Sequence, residues 1–258
     1  MAGMNLFPKK WITLGLALLS PLAGSEEAAA QDYAQPARLR GTIFETESGT
    51  NKILFTFQRT AIRSNNAVHV VRDFLYPDGR RAAREIVIYE RGQFAWFDLD
   101  ETQTGARGTA KAGADAKLTW RGDLAFEWSL GGRKKTGHEI LQQNTLVGDM
   151  LPGFIAAHWS ELLGGKKVEF RFIASSRLET VGFQLVKESE VTWRGQPAVR
   201  LRMEASNFLI ARIVDPLFFI VEMGGAHRVL EYVGRTTPKS PDGKKSKDLD
   251  ARTVYEWE

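Results

Sequence analysis

Five charged residues sit inside runs that otherwise read as strands, and any binding chemistry in this chain would start with them. Arg177 and Glu179 lie in "SSRLETVGF", and Arg228, Glu231 and Arg235 lie in "AHRVLEYVGRTTP". A guanidinium can grip a carboxylate or phosphate headgroup through two parallel hydrogen bonds, which would make these residues a polar mouth. The same charges could instead pair across neighbouring strands and brace a sheet. Their spacing presents no general acid and base. Elsewhere the 258 residues contain no cysteine, no G-x-S-x-G elbow, no H-E-x-x-H helix and no P-loop.

The four histidines, His69, His138, His158 and His227, are far apart. His158 and Glu161 stand three apart in "HWSE" and read as a surface pair on a helix. "DLDE" (Asp98 to Glu101) and "DLD" (Asp248 to Asp250) offer oxygen ligands without the glycine-punctuated loop of a calcium site. No metal or cofactor is expected, and no enzymatic activity is assigned.

Such residues need a scaffold, and its first thirty residues read as an export signal. "MAGMNLFPKK" is basic, "WITLGLALLSPLAG" is apolar, and Ala28 and Ala30 form a small-residue cleavage site. The apolar stretch is shorter than the ~20 residues needed to span a bilayer. Residues 1–30 are therefore expected to be a cleaved signal peptide, and 31–258 a single β-rich domain in the periplasm or beyond. Without cysteine, neither a lipobox nor a disulfide can form. Lys9, Lys10, Glu26 and Glu27 cancel, so the mature chain keeps the net charge of +4. Its basic residues are scattered among acidic ones, which argues against nucleic acid. The one local basic cluster, "TTPKSPDGKKSKD" with Lys244 and Lys245, reads as a solvated loop.

Apolar residues alternate with polar ones at period two. Ile53, Phe55 and Phe57 share one side of "KILFTFQRT"; Leu124, Phe126, Trp128 and Leu130 share one side of "DLAFEWSL". Val168, Phe170 and Phe172 do so in "KVEFRFI", and Val199, Leu201 and Met203 in "AVRLRME". One-faced strands belong to antiparallel sheets. "YPDGR", "ERGQ", "WRGD", "LGGR", "WRGQP" and "MGGA" supply glycine turns between these runs. "DMLPGFIAAHWSELLGGK" predicts a helix over 150–164, with Pro152 near its start and Gly164 past its end. It separates a first meander (38–140) from a second (166–258). The expected fold class is mainly β, an antiparallel meander forming a curved sheet or half-barrel with one or two covering helices.

The most apolar run beyond residue 30 is "SNFLIARIVDPLFFIVEM". Its ten Leu, Ile, Val and Phe residues between 208 and 221 would favour membrane insertion by about 5 kcal/mol. Arg212, Asp215 and Glu222 would each cost roughly 2.5–3.5 kcal/mol near a bilayer centre, so the charges win. Pro216 also breaks a continuous helix. A short helix over 207–215 followed by a strand, "LFFIVE", is expected instead. That strand has no polar face. It either is core covered on both sides or has one side on a cavity, lined also by Trp96, Trp128, Phe170, Phe172 and Phe183, with Phe208, Phe218 and Phe219. A lipid-like ligand could fill such a cavity.

The meander, the single mid-chain helix, "SRLETVGF" and the terminal "HRVLEYVGRTTP…DLDARTVYEW" resemble a group of uncharacterised, secreted proteobacterial β-sheet proteins. The layout is also similar to the half-barrel of the periplasmic lipoprotein carriers LolA and LolB. That resemblance implies a curved sheet holding acyl chains beneath helices, here 154–163 and 207–215. It transfers no functional residue, and the "GTAKAGADAKLTW" segment departs from it. The function expected is binding of an apolar or lipid-like ligand in envelope maintenance. A structural module that contacts an envelope protein, or a hydrolase of envelope polymers, are the alternatives.

Overall fold

Period-two alternation is realised almost throughout. The computed structural model describes residues 32–46, 51–113, 122–207, 215–240 and 247–258. The expected signal peptide, Phe208 with most of the helix expected over 207–215, and the residues around Lys244 and Lys245 lie outside them. The first meander runs β1 (Arg38–Glu45), β2 (Ile53–Ser64), β3 (Ala67–Leu75), β4 (Arg81–Glu90), β5 (Gln93–Glu101), β6 (Ala106–Ala112), β7 (Gly122–Leu130) and β8 (Arg133–Leu141). A two-residue β9 (Thr145–Leu146) precedes the helical segment. The second meander runs β10 (Val168–Ala174), β11 (Glu179–Trp193), β12 (Gln196–Ala205), β13 (Leu217–Glu222), β14 (Val229–Ser240) and β15 (Lys247–Trp257).

All fifteen strands form one sheet, because β1 pairs with β15 and joins the two meanders edge to edge. Every pairing is antiparallel except that of β9 with β10. The sheet curls until its two ends nearly meet. There the Glu139 carboxylate of β8 accepts hydrogen bonds from the Thr180 amide (2.9 Å) and hydroxyl (2.7 Å) of β11. The approach is tight enough to need a glycine: a Cβ on Gly137 would lie 2.8 Å from that of Leu178. The barrel is thus closed at its seam by side chains, not by a backbone ladder.

Strand parity now becomes inside and outside. β4 buries Ala83, Glu85, Val87 and Tyr89 and turns Arg84, Ile86 and Ile88 outward; β12 buries Val199, Leu201 and Met203 and turns Arg200 and Arg202 outward. "LFFIVE" alternates too, with Leu217, Phe219 and Val221 buried and Phe218 and Ile220 half-exposed. It is not covered on both sides. The Arg200 guanidinium lies over its outward ring, Phe218, 4.1 Å from the ring centre.

The expected helix is present but broken. A 3₁₀ turn (Gly148–Met150) leads into α1 (Leu151–Ala157), and His158 at φ −101° separates it from α2 (Trp159–Leu163). These segments cover the sheet from its concave side and leave Ala157, Ser160, Glu161 and Leu163 exposed. Met150, Phe154, Ile155, Trp159 and Leu162 are buried in the same apolar cluster as residues of β3 to β7 and β10 to β14. The helix therefore fills part of the barrel interior. No helix among the described residues is long and apolar enough to cross a membrane.

Candidate functional site

The barrel interior holds charges that belong, by strand parity, to apolar faces. Arg59 follows Phe55 and Phe57 on β2, Arg72 lies between Val70 and Phe74 on β3, Glu85 precedes Val87 on β4, and Glu101 follows Leu99 on β5. Arg59, Glu85 and Glu101 are at most 5% exposed. A buried charge is tolerable only when paired and hydrogen-bonded, and two of the three are.

Arg59 forks onto Asp149 of the 3₁₀ turn, Nε to Oδ1 at 2.7 Å and Nη2 to Oδ2 at 3.1 Å. The Tyr89 hydroxyl donates to the same carboxylate at 2.9 Å. Arg59 also donates to the backbone carbonyls of Tyr33 (2.8 Å) and Pro36, and the Tyr33 ring stacks on Tyr89 at 3.9 Å. One cluster therefore fastens the segment before β1, the barrel wall and the helix together. Burial, then the Asp149 charge, pushes the Tyr33 hydroxyl up to about 12 and that of Tyr89 well above the usual tyrosine range. Both phenols are held neutral, and that of Tyr89 is the donor to Asp149.

A second pair lies alongside. Arg72 Nε donates to Glu85 Oε2 at 2.9 Å, with Nη2 on the same oxygen. Burial opposes the charge on Arg72, but Glu85 and Asp149 outweigh it and hold the guanidinium protonated. With Gly148, Pro152 and Tyr255, Arg72 forms a partition that lines two chambers, one on each side.

The first chamber has a volume of about 300 Å³. Phe57, Phe74, Phe97, Leu99, Trp128 and Phe172 make its walls, Arg72, Glu85 and Glu101 its polar floor, and Ser176, Arg235, Thr237, Lys239 and Asp248 its rim. Glu101 is the floor group without a cation in contact among the described residues; its Oε2 accepts from Thr104 Oγ1 at 3.2 Å. Burial is the main cause that raises its carboxyl above the ordinary 4.5, with Lys239 and Thr104 pulling the other way. The folded chain thus holds this proton more tightly than the unfolded chain does. Its stabilising effect is complete below the unfolded value and is lost as pH rises through the folded one. Glu101→Gln is expected to remove that loss. In denaturant titrations from about pH 4 to about pH 8, the variant should gain on the parent protein as pH rises; parallel curves would count against it.

The aromatic residues expected to line a cavity are dispersed by parity. Trp128, Phe172 and Phe219 line the first chamber. Phe170 and Phe183 are buried behind it, with ring centres 6.0 Å apart, and Phe172 meets Phe183 edge-on. Trp96 and Phe218 face away, because each pairs with outward positions: Trp96 with Ile88 and Lys111, Phe218 with Arg202. Phe208 lies outside the described residues.

The five charged residues do not form a single mouth. Arg177 and Glu179 pair with each other at 2.6 Å on the surface, and Glu231 pairs outside the barrel with Arg252 at 3.3 Å. Arg235 stands at the first chamber's rim, held by Asp248 and Asp250, and Arg228 lines the second chamber. Arg59, Arg72, Glu85, Glu101 and Asp149 belong to no motif in the sequence. The four on strands carry one signal, a charge on the apolar parity, as in "FTFQR" and "VVRDF"; Asp149, in the 3₁₀ turn, carries none.

No family model matches the chain, and no curated protein matches it. Among solved structures, it is similar to a β-barrel-like protein of the domain of unknown function DUF1849 from Brucella abortus. The two are 9% identical over 85% of this chain and 93% of that one, with a TM-score of 0.47. A protein with a YmcC-like fold from Bacteroides fragilis is 8% identical over 85% of this chain and 93% of that one, with a TM-score of 0.28.

Proposed function

We propose that this protein is an exported β-barrel that holds one small apolar or amphipathic molecule, of lipid origin, in its first chamber and serves envelope maintenance. The observation that carries this reading is an aromatic-walled volume of about 300 Å³ inside the barrel, with a charged floor and a polar rim. Protein cores pack as densely as organic crystals and leave few voids larger than a water molecule. A volume at the lower end of the roughly 300–1,000 Å³ range of ligand sites is therefore better read as a site than as core. Its size suits a single chain or a compact amphiphile rather than a two-chain lipid. The likeness to LolA and LolB is proposed at this level, an apolar interior next to helical segments, and periplasmic residence rests on residues 1–30.

Native mass spectrometry of the protein, purified from the envelope without detergent, tests the reading, followed by solvent extraction of whatever is bound. A stoichiometric adduct is expected. Leu99→Trp, which fills the chamber from its wall, should abolish the adduct while circular dichroism and the unfolding midpoint stay close to those of the parent. A bare mass with no uptake of added lipid would sink the proposal.

A further inference from the structure

The second chamber, of about 290 Å³, lies beyond the partition and differs from the first in its charge. Its rings are Tyr33, Tyr255 and Trp257, and its outer border is the β13–β14 loop with His227 and Arg228. Most charges that face it are already matched. Arg59 is on Asp149, Arg72 on Glu85, and Glu258 pairs with Arg40 at 3.0 Å. Glu222 accepts the backbone N–H of Arg228 at 3.3 Å. The Arg228 guanidinium is exposed, lies 5.9 Å from the Trp257 ring centre, and has no carboxylate at ion-pair distance among the described residues.

His227 beside it is under strain. Its backbone is left-handed at φ 51°, its ring stacks on Trp159 at 4.4 Å, and its Nδ1 is buried with no hydrogen-bond partner among the described residues. A non-glycine residue in that backbone region, carrying an unsatisfied nitrogen, needs a compensating reason, and such residues cluster at ligand clamps.

We infer that the second chamber is a separate binding site for a small molecule with an anionic head, a carboxylate or a phosphate, and an apolar tail. Arg228 takes the head through charge-assisted hydrogen bonds, and the tail lies between Tyr255, Trp257 and the α1 residues Pro152 and Ala156. A head oxygen arriving at the loop also gives the His227 ring the partner it lacks once the ring turns from Trp159. This site is independent of what the first chamber holds.

The test uses three probes of equal tail length, octanoate, octyl phosphate and octanol, added to the full protein. Binding is read by calorimetry and by the imidazole resonances of ¹³C-labelled histidine. At least one anionic probe should bind and shift the His227 resonance, and whichever of the two does so identifies the head chemistry. Octanol should bind at least tenfold more weakly, and Arg228→Gln should weaken the anion at least tenfold, the scale of a charge-assisted contact. Leu99→Trp, which fills the first chamber only, should leave anion binding unchanged. The inference is overturned by any of four results: no anionic probe bound, octanol bound as tightly as octanoate, insensitivity to Arg228→Gln, or loss of binding on Leu99→Trp. A missing native lipid would count against the first chamber's role alone, because here the probe is supplied.

Discussion

Asp149→Ala is expected to lower the unfolding free energy by about 3–5 kcal/mol, the usual cost of leaving one partner of a buried ion pair uncompensated. The side chains of Arg59 and Asp149 are 4% and 2% exposed, so the stranded guanidinium would be poorly hydrated, even beside the second chamber that it borders. Tyr89 loses its acceptor as well. The remedy follows from the same physics. Replacing both charges, as Arg59→Met with Asp149→Leu, removes the uncompensated ion and should recover most of the loss. Recovery should be incomplete, since the carbonyls of Tyr33 and Pro36 lose their donor. Chemical denaturation of the single and double variants measures both effects. A double variant no more stable than Asp149→Ala would show that the cluster matters for its packing and not for its charge.

Trp159→Ala should cost about 3–5 kcal/mol, as large-to-small changes at buried aromatic positions do. The reason lies in the helix itself. Its two segments have seven and five residues, and neither has a side-chain cap at its N-terminus. Helices this short do not persist in water by propensity, so packing holds them. Trp159 is 6% exposed and stacks on His227, which ties the helix to the β13–β14 loop. Without it, amide protons over 151–163 should lose protection before those of the central strands. Uniform loss of protection, or a change below about 1 kcal/mol, would mean that the helix is anchored elsewhere, with Ile155 and Leu162 the next candidates.

Much of this molecule is legible in its residues, though not all that was legible is conspicuous. Of the six glycine turns, five fall between the strands they were expected to join, and "WRGD" lies partly outside the described residues. Trp96 shares parity with Asp98 and Asp100, so its outward position is readable from "WFDLD" alone. Phe218 is less conspicuous, because in "LFFIVE" Glu222 alone marks the outward parity. The pairing with β12 keeps the same phase, Leu201 against Phe219 and Arg202 against Phe218.

From the sequence alone came the antiparallel strands, their turns, the place of the helix and the absence of a catalytic motif, because each depends on neighbours a few residues apart. The tertiary structure decided that the sheet curls until Glu139 meets Thr180, that the helix lies inside it, and that Arg59 finds Asp149 ninety positions away. Alternation specifies which side chains share a face of a strand. It does not specify how far the sheet curves, and only curvature turns a shared face into an enclosed chamber whose charges must find one another.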